Sequence, residues 1–351
     1  MITIPVEASR AYDIHIGKGL LESVGTRVKA LLPQARTVAI ITDKNVEKLY
    51  GQTVREAFSQ AGFGVISHAV PPGEKSKSLI QFFELNCWLA ENRVTRSDVV
   101  IALGGGVVGD LAGFVASTYL RGVQFVQMPT TLLAMVDSSV GGKTGIDIPQ
   151  GKNLVGAFYQ PCAVLCDTAT LDTLSPETYA DGCAEMVKHG MIRSVELIEM
   201  LQVENGGMAE IIAANATIKR DIVQQDEYDT GARQLLNFGH TIGHAIEKLS
   251  NFAVHHGAGV AIGMSIITRA AVRKKLCPAN CLSVLQELLA KFNLPSETDF
   301  SPAELYEAAL TDKKRMGDTL TEVLPSALGN CVLHRMRVSD LLSFIEMGYK
   351  P

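Results

Sequence analysis

The feature that most constrains the fold of this chain is an alternation of short apolar runs with amphipathic stretches through its first half. The runs are rich in β-branched residues and lie at Thr37–Thr42, Val65–Val70, Val99–Leu103, Gln124–Met128 and Ala163–Cys166. Two amphipathic stretches between them, Val46–Ala61 and Lys77–Asn92, predict helices. Strands that alternate with helices in this way predict an α/β fold with a mostly parallel sheet covered by helices.

The second half of the sequence has a different pattern, because the β-strand signal fades after about Leu174. Helices are predicted at Pro176–Ser194, Gly206–Gln224, Gly239–Leu249, His256–Leu276 and Ala279–Phe292. Within these, Val260–Ala271 is apolar almost all round, as a buried helix would be. A chain of 351 residues is long enough for two domains. We therefore predict an α/β domain over residues 1–175 and a mainly α-helical domain over residues 176–351.

Composition excludes several classes of function. The formal net charge is −5, which lacks the basic surplus of a non-specific nucleic-acid binder. The uncharged stretch Gly122–Val136 contains proline and threonine and is shorter than the span of about 20 residues that a bilayer requires. The seven cysteines follow no zinc-ribbon or thioredoxin spacing. These observations predict a cytoplasmic protein with reduced thiols and no nucleic-acid or membrane partner.

A glycine-rich motif is the first candidate site. The residues Gly104-Gly105-Gly106-Val107-Val108-Gly109-Asp110 directly follow a predicted strand and open the predicted helix Leu111–Tyr119. Glycine lets a backbone approach a phosphate closely, and the start of a helix offers unpaired N–H groups. The motif therefore indicates a dinucleotide pyrophosphate in a Rossmann-like domain, although a tight strand–helix turn would have the same residues.

A second candidate is the segment Thr130–Asn153, which places Asp137, Lys143 and Lys152-Asn153 among glycines and hydroxyl residues. Lysines beside polar backbone suit a phosphate or carboxylate, and the lone aspartate suits a substrate hydroxyl. The alternative is a solvated surface loop. The richness of the segment in glycine, threonine and apolar residues argues against that alternative.

A third candidate is a metal site. His240 and His244 are four residues apart on a predicted helix, with Asn237 as the predicted N-cap, so both imidazoles lie on one face. His256 follows about three helical turns later, and Glu185 lies on another apolar helix. Two imidazoles and a carboxylate with one open position are typical of catalytic zinc. Spacing alone leaves open whether His240 or His244 is the ligand.

Several cations lie near these elements in the sequence. Lys188 shares a helix face with Glu185, and three further sites are Lys219, Arg233 and Lys313-Lys314. Taken singly, each would be interpreted as a surface charge.

Together these segments resemble the 3-dehydroquinate synthase family of sugar-phosphate cyclases. The resemblance is carried by PGEKSK (Pro72–Lys77), GGGVVGDLAGF, RGVQFVQMPTTLLAMVDSSVGGKT, GKNLVGAF, AEMVKHG, LLNFGHTIGHAIE, HGAGVAIGM and DKK. The motifs run in the family's order from about residue 40 to 330, and their joint occurrence is highly specific.

The resemblance implies an NAD-dependent lyase of the shikimate pathway, which supplies aromatic amino acid biosynthesis. Its substrate would be 3-deoxy-D-arabino-heptulosonate 7-phosphate, and its products 3-dehydroquinate and phosphate. NAD would oxidise a secondary alcohol transiently, so that phosphate can leave. Hydride would then return to the substrate, and an intramolecular aldol step would close the ring.

The resemblance also implies roles for individual residues. NAD would be contacted by Asp43, Asn45, Pro72, Gly73, Glu74, Lys75, Ser76, Lys77, Gly105, Gly106, Val107, Val108, Gly109, Asp110, Thr130, Thr131, Lys143, Lys152, Thr170, Leu171, Asp172 and Thr173. One Zn²⁺ or Co²⁺ ion would be bound by Glu185, His240 and His256, which assigns His244 to proton transfer. Catalysis and substrate binding would involve Asp137, Lys143, Asn153, Lys188, Lys219, Asp229, Arg233, Asn237, His244 and one lysine of Lys313-Lys314. Arg121 would reach the neighbouring subunit of a homodimer.

The sequence departs from the family pattern at three places. Ala258 stands where the family has glutamate after His256-Gly257, and Asp229 carries a carboxylate one methylene shorter than the usual glutamate. Thr321-Glu322 replaces basic or apolar residues after the DKK motif. These departures leave the family assignment intact and bear on the rate and the substrate.

Three rival functions are weighed against this one. Another sugar-phosphate cyclase is disfavoured because Arg233 suits a substrate carboxylate. A metal-dependent polyol dehydrogenase of the same two-domain plan is disfavoured because Lys143 and Lys152 suit a phosphorylated substrate. A catalytically idle NAD-binding protein is disfavoured because the three metal-ligand candidates are all retained.

Overall fold

The computed structural model describes residues 1–203, 207–310, 315–316 and 318–350. Within them the chain forms two compact units. The first unit comprises Met1–Leu174 and Met208–Glu227, and the second comprises the described residues of Ser175–Gly207 and Tyr228–Pro351. A helix that follows residue 175 in the sequence thus belongs to the first unit. The predicted domain boundary at residue 175 stays a prediction.

Strands and helices alternate through the first 170 residues. In chain order the strands are β1 (Ile2–Val6), β2 (Tyr12–Gly17), β3 (Thr37–Asp43), β4 (Gly64–Val70), β5 (Val99–Gly104), β6 (Gln124–Pro129), β7 (Lys143–Ile148), β8 (Gly151–Phe158), β9 (Ala163–Asp167), β10 (Arg315–Met316), β11 (Thr319–Ala327) and β12 (Asn330–Arg337). The α-helices are α1 (Leu20–Leu31), α2 (Lys44–Val46), α3 (Gln52–Gln60), α4 (Leu79–Glu91), α5 (Gly106–Thr118), α6 (Pro176–Arg193), α7 (Val195–Val203), α8 (Met208–Gln225), α9 (His240–Leu249), α10 (His256–Arg273), α11 (Asn280–Lys291), α12 (Pro302–Ala309) and α13 (Val338–Gly348).

The first unit is built on a seven-stranded sheet with the order β1-β2-β9-β6-β5-β3-β4. All neighbouring pairs are parallel except β1 and β2. Each of the five predicted strands is present within one residue of its predicted bounds, so the predicted mostly parallel α/β sheet is confirmed.

Both faces of this sheet are buried, which explains the uninterrupted apolar runs. Ile101 packs into a cluster with Val28 of α1 and Phe58 of α3. Its neighbour Val100 points to the opposite face and packs into a cluster with Leu111 of α5. Successive side chains of a strand alternate between faces, so a strand covered on both sides must be apolar at every position.

The parallel strands end together at one edge of the sheet. Asp43 at the end of β3 pairs with Val70 at the end of β4, and Gly104 at the end of β5 pairs with Pro129 at the end of β6. Ligands of open α/β sheets bind outside the carboxyl ends of the strands. The loops after β3, β4, β5 and β6 therefore share a position suited to a ligand.

Two further features of the first unit were not predicted. β1 and β2 form an antiparallel pair in which β1 is an outermost strand of the main sheet, and β7 and β8 form a separate antiparallel hairpin. The hairpin falls inside the lysine-bearing segment that the sequence singled out. It gives that segment regular backbone pairing, because Lys143 begins β7 and Asn153 lies on β8.

The second unit consists mainly of helices, as predicted, with α10 buried along most of its length. α9 packs closely on α10, since a Cβ added at Gly263 would lie 2.0 Å from the carbonyl oxygen of Gly239. The strands of this unit were not predicted, because the β signal of the sequence fades after about Leu174. β10, β11 and β12 form a three-stranded antiparallel sheet, whose two longer strands are only partly buried.

Across residues 1–203 and 207–310, and in the described remainder of the chain, no helix is both long enough and apolar enough to cross a bilayer.

Candidate active site

The glycine motif lies where strand β5 gives way to helix α5. Gly105 is the N-cap of α5, and no side chain caps the helix there. A Cβ added at Gly106 would lie 2.9 Å from Oγ of Ser138, and one at Gly105 would lie 3.1 Å from Cγ2 of Thr131. The first turn of α5 thus keeps its N–H groups and its positive dipole end available to an anion.

The loop after β4 meets the same region through a buried lysine. Nζ of Lys77 lies 2.9 Å from Oδ2 of Asp110, 2.5 Å from Oδ1 of Asn153 and 3.6 Å from Oε1 of Glu74. Nζ of Lys152 lies 3.6 Å from the same Glu74 oxygen. Burial alone would lower the pKa of Lys77, but the carboxylates of Asp110 and Glu74 outweigh it and raise that pKa. Lys77 is therefore a fixed cation that joins the loop after β4 to helix α5 and strand β8.

The other predicted NAD residues occupy neighbouring loops of the same edge. Asp43 ends β3 and caps α2, accepting hydrogen bonds from the backbone N–H groups of Asn45 and Val46. Thr130 and Thr131 follow β6, and N of Thr130 donates to the carbonyl oxygen of Gly104 at 3.0 Å. The turn Thr168–Thr173 follows β9 and contains Thr170, Leu171, Asp172 and Thr173. The structure thus brings together loops that lie far apart in the sequence.

A charged pair lies deeper in the first unit. Nζ of Lys219, on α8, lies 2.7 Å from Oδ1 of Asp137, which belongs to the short π-helix Ala134–Ser138. Lys219 is 6% exposed. The pair places a cation and a carboxylate in one spot, and it joins α8 to the segment that carries the lysine motif.

Arg121 stands apart from these residues. It precedes β6, and therefore lies at the opposite end of that strand from Thr130. It is exposed, and its φ of 67° follows a φ of 51° at Leu120. Two adjacent non-glycine residues in the left-handed region are uncommon and mark a constrained turn.

The second unit contains a cluster of side chains that could bind a metal ion. One ligand atom each of Glu185, His240 and His256 lies within 4.8 Å of the others. Oε1 of Glu185 lies 3.7 Å from Nε2 of His240 and 3.3 Å from Nε2 of His256. Glu185 is fully buried on α6, while the imidazoles come from the first residues of α9 and α10. Two nitrogens and a carboxylate oxygen at these separations form a typical three-ligand set for a catalytic divalent metal.

The hydrogen bonds of the two imidazoles fix which nitrogen faces Glu185. Nδ1 of His240 donates to the carbonyl oxygen of Phe238 at 3.1 Å. Nδ1 of His256 donates to Oε1 of Glu247 at 2.7 Å. Both rings are thereby held with Nε2 toward Glu185, which is the usual arrangement of metal-binding histidines.

The pKa values of the two imidazoles are shifted in opposite directions. Burial and the positive charge of Lys188 hold the pKa of His240 well below its ordinary value, so its ring is neutral and able to bind a metal. Burial also lowers the pKa of His256, but the hydrogen bonds that its ring donates to Glu185 and Glu247 outweigh this effect and raise that pKa to about 10. A metal ion would replace the proton that His256 otherwise carries on Nε2.

Other predicted residues surround this cluster in the second unit. Nζ of Lys188 forms an ion pair with Oε2 of Glu185. The rings of His244 and His240 are 5.4 Å apart, and His244 is the more accessible of the two to solvent. Arg233 is 1% exposed in the turn Ala232–Asn237, which contacts α6.

Among the remaining predicted residues, the prediction that Asn237 is the N-cap of a helix is wrong. Asn237 ends the turn Ala232–Asn237 and is not the N-cap of α9. That position is Gly239, whose φ of 77° suits glycine, and it makes no side-chain cap. Asp229 has a φ of 60°, and Lys313 and Lys314 lie outside the described residues.

The sequence left His240 and His244 as candidate ligands, and among the described residues each of them belongs to one donor group. The alternative to the Glu185 group is His244, Glu247 and His256. In that group Glu247 already accepts the Nδ1 hydrogen of His256, so a metal there would have to break this bond. The geometry favours Glu185, His240 and His256.

Two residues near His256 were missed by the sequence analysis. They are Glu247 on α9 and Asp181 on α6, whose Oδ1 accepts a hydrogen bond from N of Gly257 at 2.8 Å. Glu247 lies seven residues after His240 and so on the same helix face, which was a usable signal. No sequence pattern points to Asp181.

Comparisons with known proteins agree with this architecture. The family profiles for the 3-dehydroquinate synthase N-terminal and C-terminal regions match residues 67–181 and 182–315. A 3-dehydroquinate synthase of Enterococcus faecalis is 46% identical over 353 residues, covering 98% of each chain. Another, from Streptococcus suis, is 45% identical over 345 residues and covers 96% of this chain and 97% of the relative.

A solved structure extends the comparison to three dimensions. The 2-deoxy-scyllo-inosose synthase complexed with carbaglucose-6-phosphate, NAD+ and Co2+ superposes with a TM-score of 0.88 at 27% identity. The match covers 99% of this chain and 100% of the other. With the fold, two family profiles and near full-length relatives in agreement, this chain belongs to the 3-dehydroquinate synthase family.

Proposed function

We propose that this chain converts 3-deoxy-D-arabino-heptulosonate 7-phosphate into 3-dehydroquinate and phosphate. The observation that carries the proposal is the Glu185–His240–His256 cluster in a chain that belongs to this family. The identity of 46% to a 3-dehydroquinate synthase favours this substrate over that of an inosose synthase, for which the identity is 27%.

The carboxyl edge of the first unit fits NAD. Close packing of Gly105 and Gly106 against Thr131 and Ser138 leaves room only for backbone, and the adjoining turn of α5 suits a pyrophosphate. We assign NAD to the loops after β3, β4, β5, β6 and β9, together with Lys143 and Lys152. Bound there, NAD supplies reversible oxidation of a substrate alcohol, which makes a neighbouring C–H acidic.

The donor set of the second unit fits Zn²⁺ or Co²⁺, because both accept imidazole and carboxylate ligands. We assign the ion to Glu185, His240 and His256. Bound there, it stabilises negative charge on substrate oxygens.

Proton transfer and anion binding fall to the side chains around these sites. We assign proton transfer to His244, which is accessible to solvent, with Asp229 as its carboxylate partner in the reaction. Substrate anions and hydroxyls are assigned to Asp137, Lys143, Asn153, Lys188, Lys219, Arg233, Asn237 and one lysine of Lys313-Lys314. Fixed cations keep a multiply charged substrate aligned through several steps.

We further propose a homodimer in which Arg121 serves the partner's site. The position of Arg121, at the end of β6 remote from the ligand edge, supports a role outside its own unit. The first unit also has exposed apolar side chains on α4, since Leu79, Ile80 and Phe83 are 62%, 69% and 67% exposed. Such a concentration is typical of a protein interface.

The proposal also places the enzyme in the cytoplasm. All seven cysteines are free thiols, which suits a reducing compartment.

The test is release of phosphate from the heptulosonate phosphate by protein freed of metal and NAD. We expect release only after both NAD and Zn²⁺ or Co²⁺ are restored, with 3-dehydroquinate as the product. A hexose 6-phosphate serves as the comparison substrate and should release none. Release from the hexose phosphate instead would indicate another cyclase, and no release from either would indicate an idle NAD-binding protein.

A further inference from the structure

His256 is the proposed ligand with the most elaborate support. Its ring donates through Nδ1 to Oε1 of Glu247 at 2.7 Å, and Glu247 is 4% exposed. A carboxylate on the outer nitrogen of a metal-binding imidazole fixes its tautomer and orientation and raises its basicity. Glu247 therefore has the geometry of a residue that holds His256 with Nε2 toward Glu185.

The backbone that follows His256 is held from another helix. Oδ1 of Asp181 accepts from N of Gly257 at 2.8 Å, and Oδ2 lies 3.2 Å from Nδ1 of His255. The N-cap residue of α10, His255, supplies no side-chain cap of its own. Asp181 thus provides the carboxylate that the first turn of α10 requires, where N–H groups lack partners within the helix.

Close backbone packing supports the same contact. A Cβ added at Gly257 would lie 2.4 Å from Cα of Asp181, so the first turn of α10 rests directly on α6. Asp181 lies four residues before Glu185, and the two therefore share one face of α6.

We propose that Glu247 and Asp181 are positioning residues that hold His256 as a metal ligand, an inference that rests on the proposed metal site. α6 supplies the ligand Glu185 and the carboxylate of Asp181. α9 supplies the ligand His240 and the carboxylate of Glu247. The carboxylate of Glu247 contacts His256 itself, and that of Asp181 contacts its neighbours His255 and Gly257, so three helices define one coordination geometry.

The two residues differ in the size of their expected effects. Loss of a carboxylate bonded to a ligand typically weakens metal affinity tenfold to a hundredfold. We expect this range for Glu247→Ala. Loss of a helix cap acts only through the backbone and corresponds to about fivefold in an equilibrium. We expect that smaller loss for Asp181→Ala.

The experiment measures Co²⁺ binding to metal-free full-length protein, by competition with a chelator and by the visible absorption of the bound ion. Glu247→Gln and Asp181→Asn keep an oxygen acceptor and should recover most of the affinity. Glu177→Ala is the matched control, because Glu177 is an exposed carboxylate on α6 one turn before Asp181. It should bind Co²⁺ as the parent does. NAD affinity should stay unchanged in all variants.

Five outcomes are decisive. Parental affinity and spectrum in Glu247→Ala would overturn the role of Glu247, and parental affinity in Asp181→Ala would overturn that of Asp181. Loss in Glu247→Gln as complete as in His256→Ala would show that Glu247 is itself a ligand. If Glu247→Ala does not fold, Glu247→Leu, which keeps the volume and removes the acceptor, replaces it, and parental affinity there would contradict the proposal. Retention of Co²⁺ by His256→Ala would instead sink the proposed ligand set.

Discussion

The two units of this chain present their functional groups in opposite ways. In the first unit the candidate nucleotide site consists of loops and a helix start at one edge of a parallel sheet, where glycine backbone packs against Thr131 and Ser138. In the second unit the candidate metal site consists of side chains on three helices around the buried Glu185. A backbone site depends on conformation, whereas a side-chain site depends on the identity of a few atoms. Single substitutions should therefore be more damaging in the second unit.

The largest effect is expected from removing a proposed metal ligand. His256→Ala should lower kcat/KM by at least about a thousandfold, because the ion stabilises charge by several kcal/mol. Bound metal should fall below one ion per chain while NAD affinity is kept. Elemental analysis and NAD titration measure both, with His334→Ala on β12 as the control. Full metal content with full activity would contradict the ligand assignment.

Replacing His244 should separate proton transfer from metal binding. His244→Ala should keep its metal and lose rate by about a hundredfold to ten-thousandfold, the range for general acid–base catalysis. The same metal analysis and steady-state kinetics suffice. If this variant loses its metal as completely as His240→Ala does, the roles of the two histidines are reversed.

A hundredfold effect is expected at Asp229, where the family has the longer glutamate. Misplacement of a catalytic group by ~1 Å costs on the order of a hundredfold in rate. We expect the backbone at Asp229, with its φ of 60°, to compensate for the shorter reach. Asp229→Ala should then be impaired by about that factor, and Asp229→Glu should be nearly unaffected. An Asp229→Ala enzyme with parental kcat would remove this carboxylate from the mechanism.

The smallest effect is expected in the first unit. Lys143 is exposed at the start of β7, and Lys143→Met should lose one charge-assisted contact, about 2 to 3 kcal/mol of transition-state stabilisation. Metal content should not change. Lys18→Met, which removes an exposed lysine after β2, is the control for the loss of charge. Identical kinetics in the two variants would make Lys143 an ordinary surface lysine.

The sequence predicted most of the fold because its strongest signals come from burial. Runs such as Val99–Leu103 are apolar at every position since both faces of β5 are covered. The strands β11 and β12 escaped prediction because they are only partly buried and follow no clean alternation. Asn237 has the side chain of a helix cap, but it ends the turn Ala232–Asn237, and Phe238 and the left-handed Gly239 come between it and the first residue of the helix.

The candidate site was predictable to the extent that residue types carry it. Histidines four apart and a glycine-rich turn after a strand are visible in the sequence. The contact between Asp181 and Gly257 is not, because it depends on how α6 packs against the start of α10. Residues that support ligands from other helices become visible only in three dimensions.

The central claim is that NAD is used and regenerated within each catalytic cycle. The most direct measurement follows phosphate release and NADH absorbance together, with the heptulosonate phosphate in large excess over NAD. We predict that phosphate released will greatly exceed the NAD present, while no NADH accumulates. NADH formed in step with product, without phosphate release, would indicate a polyol dehydrogenase and contradict the account.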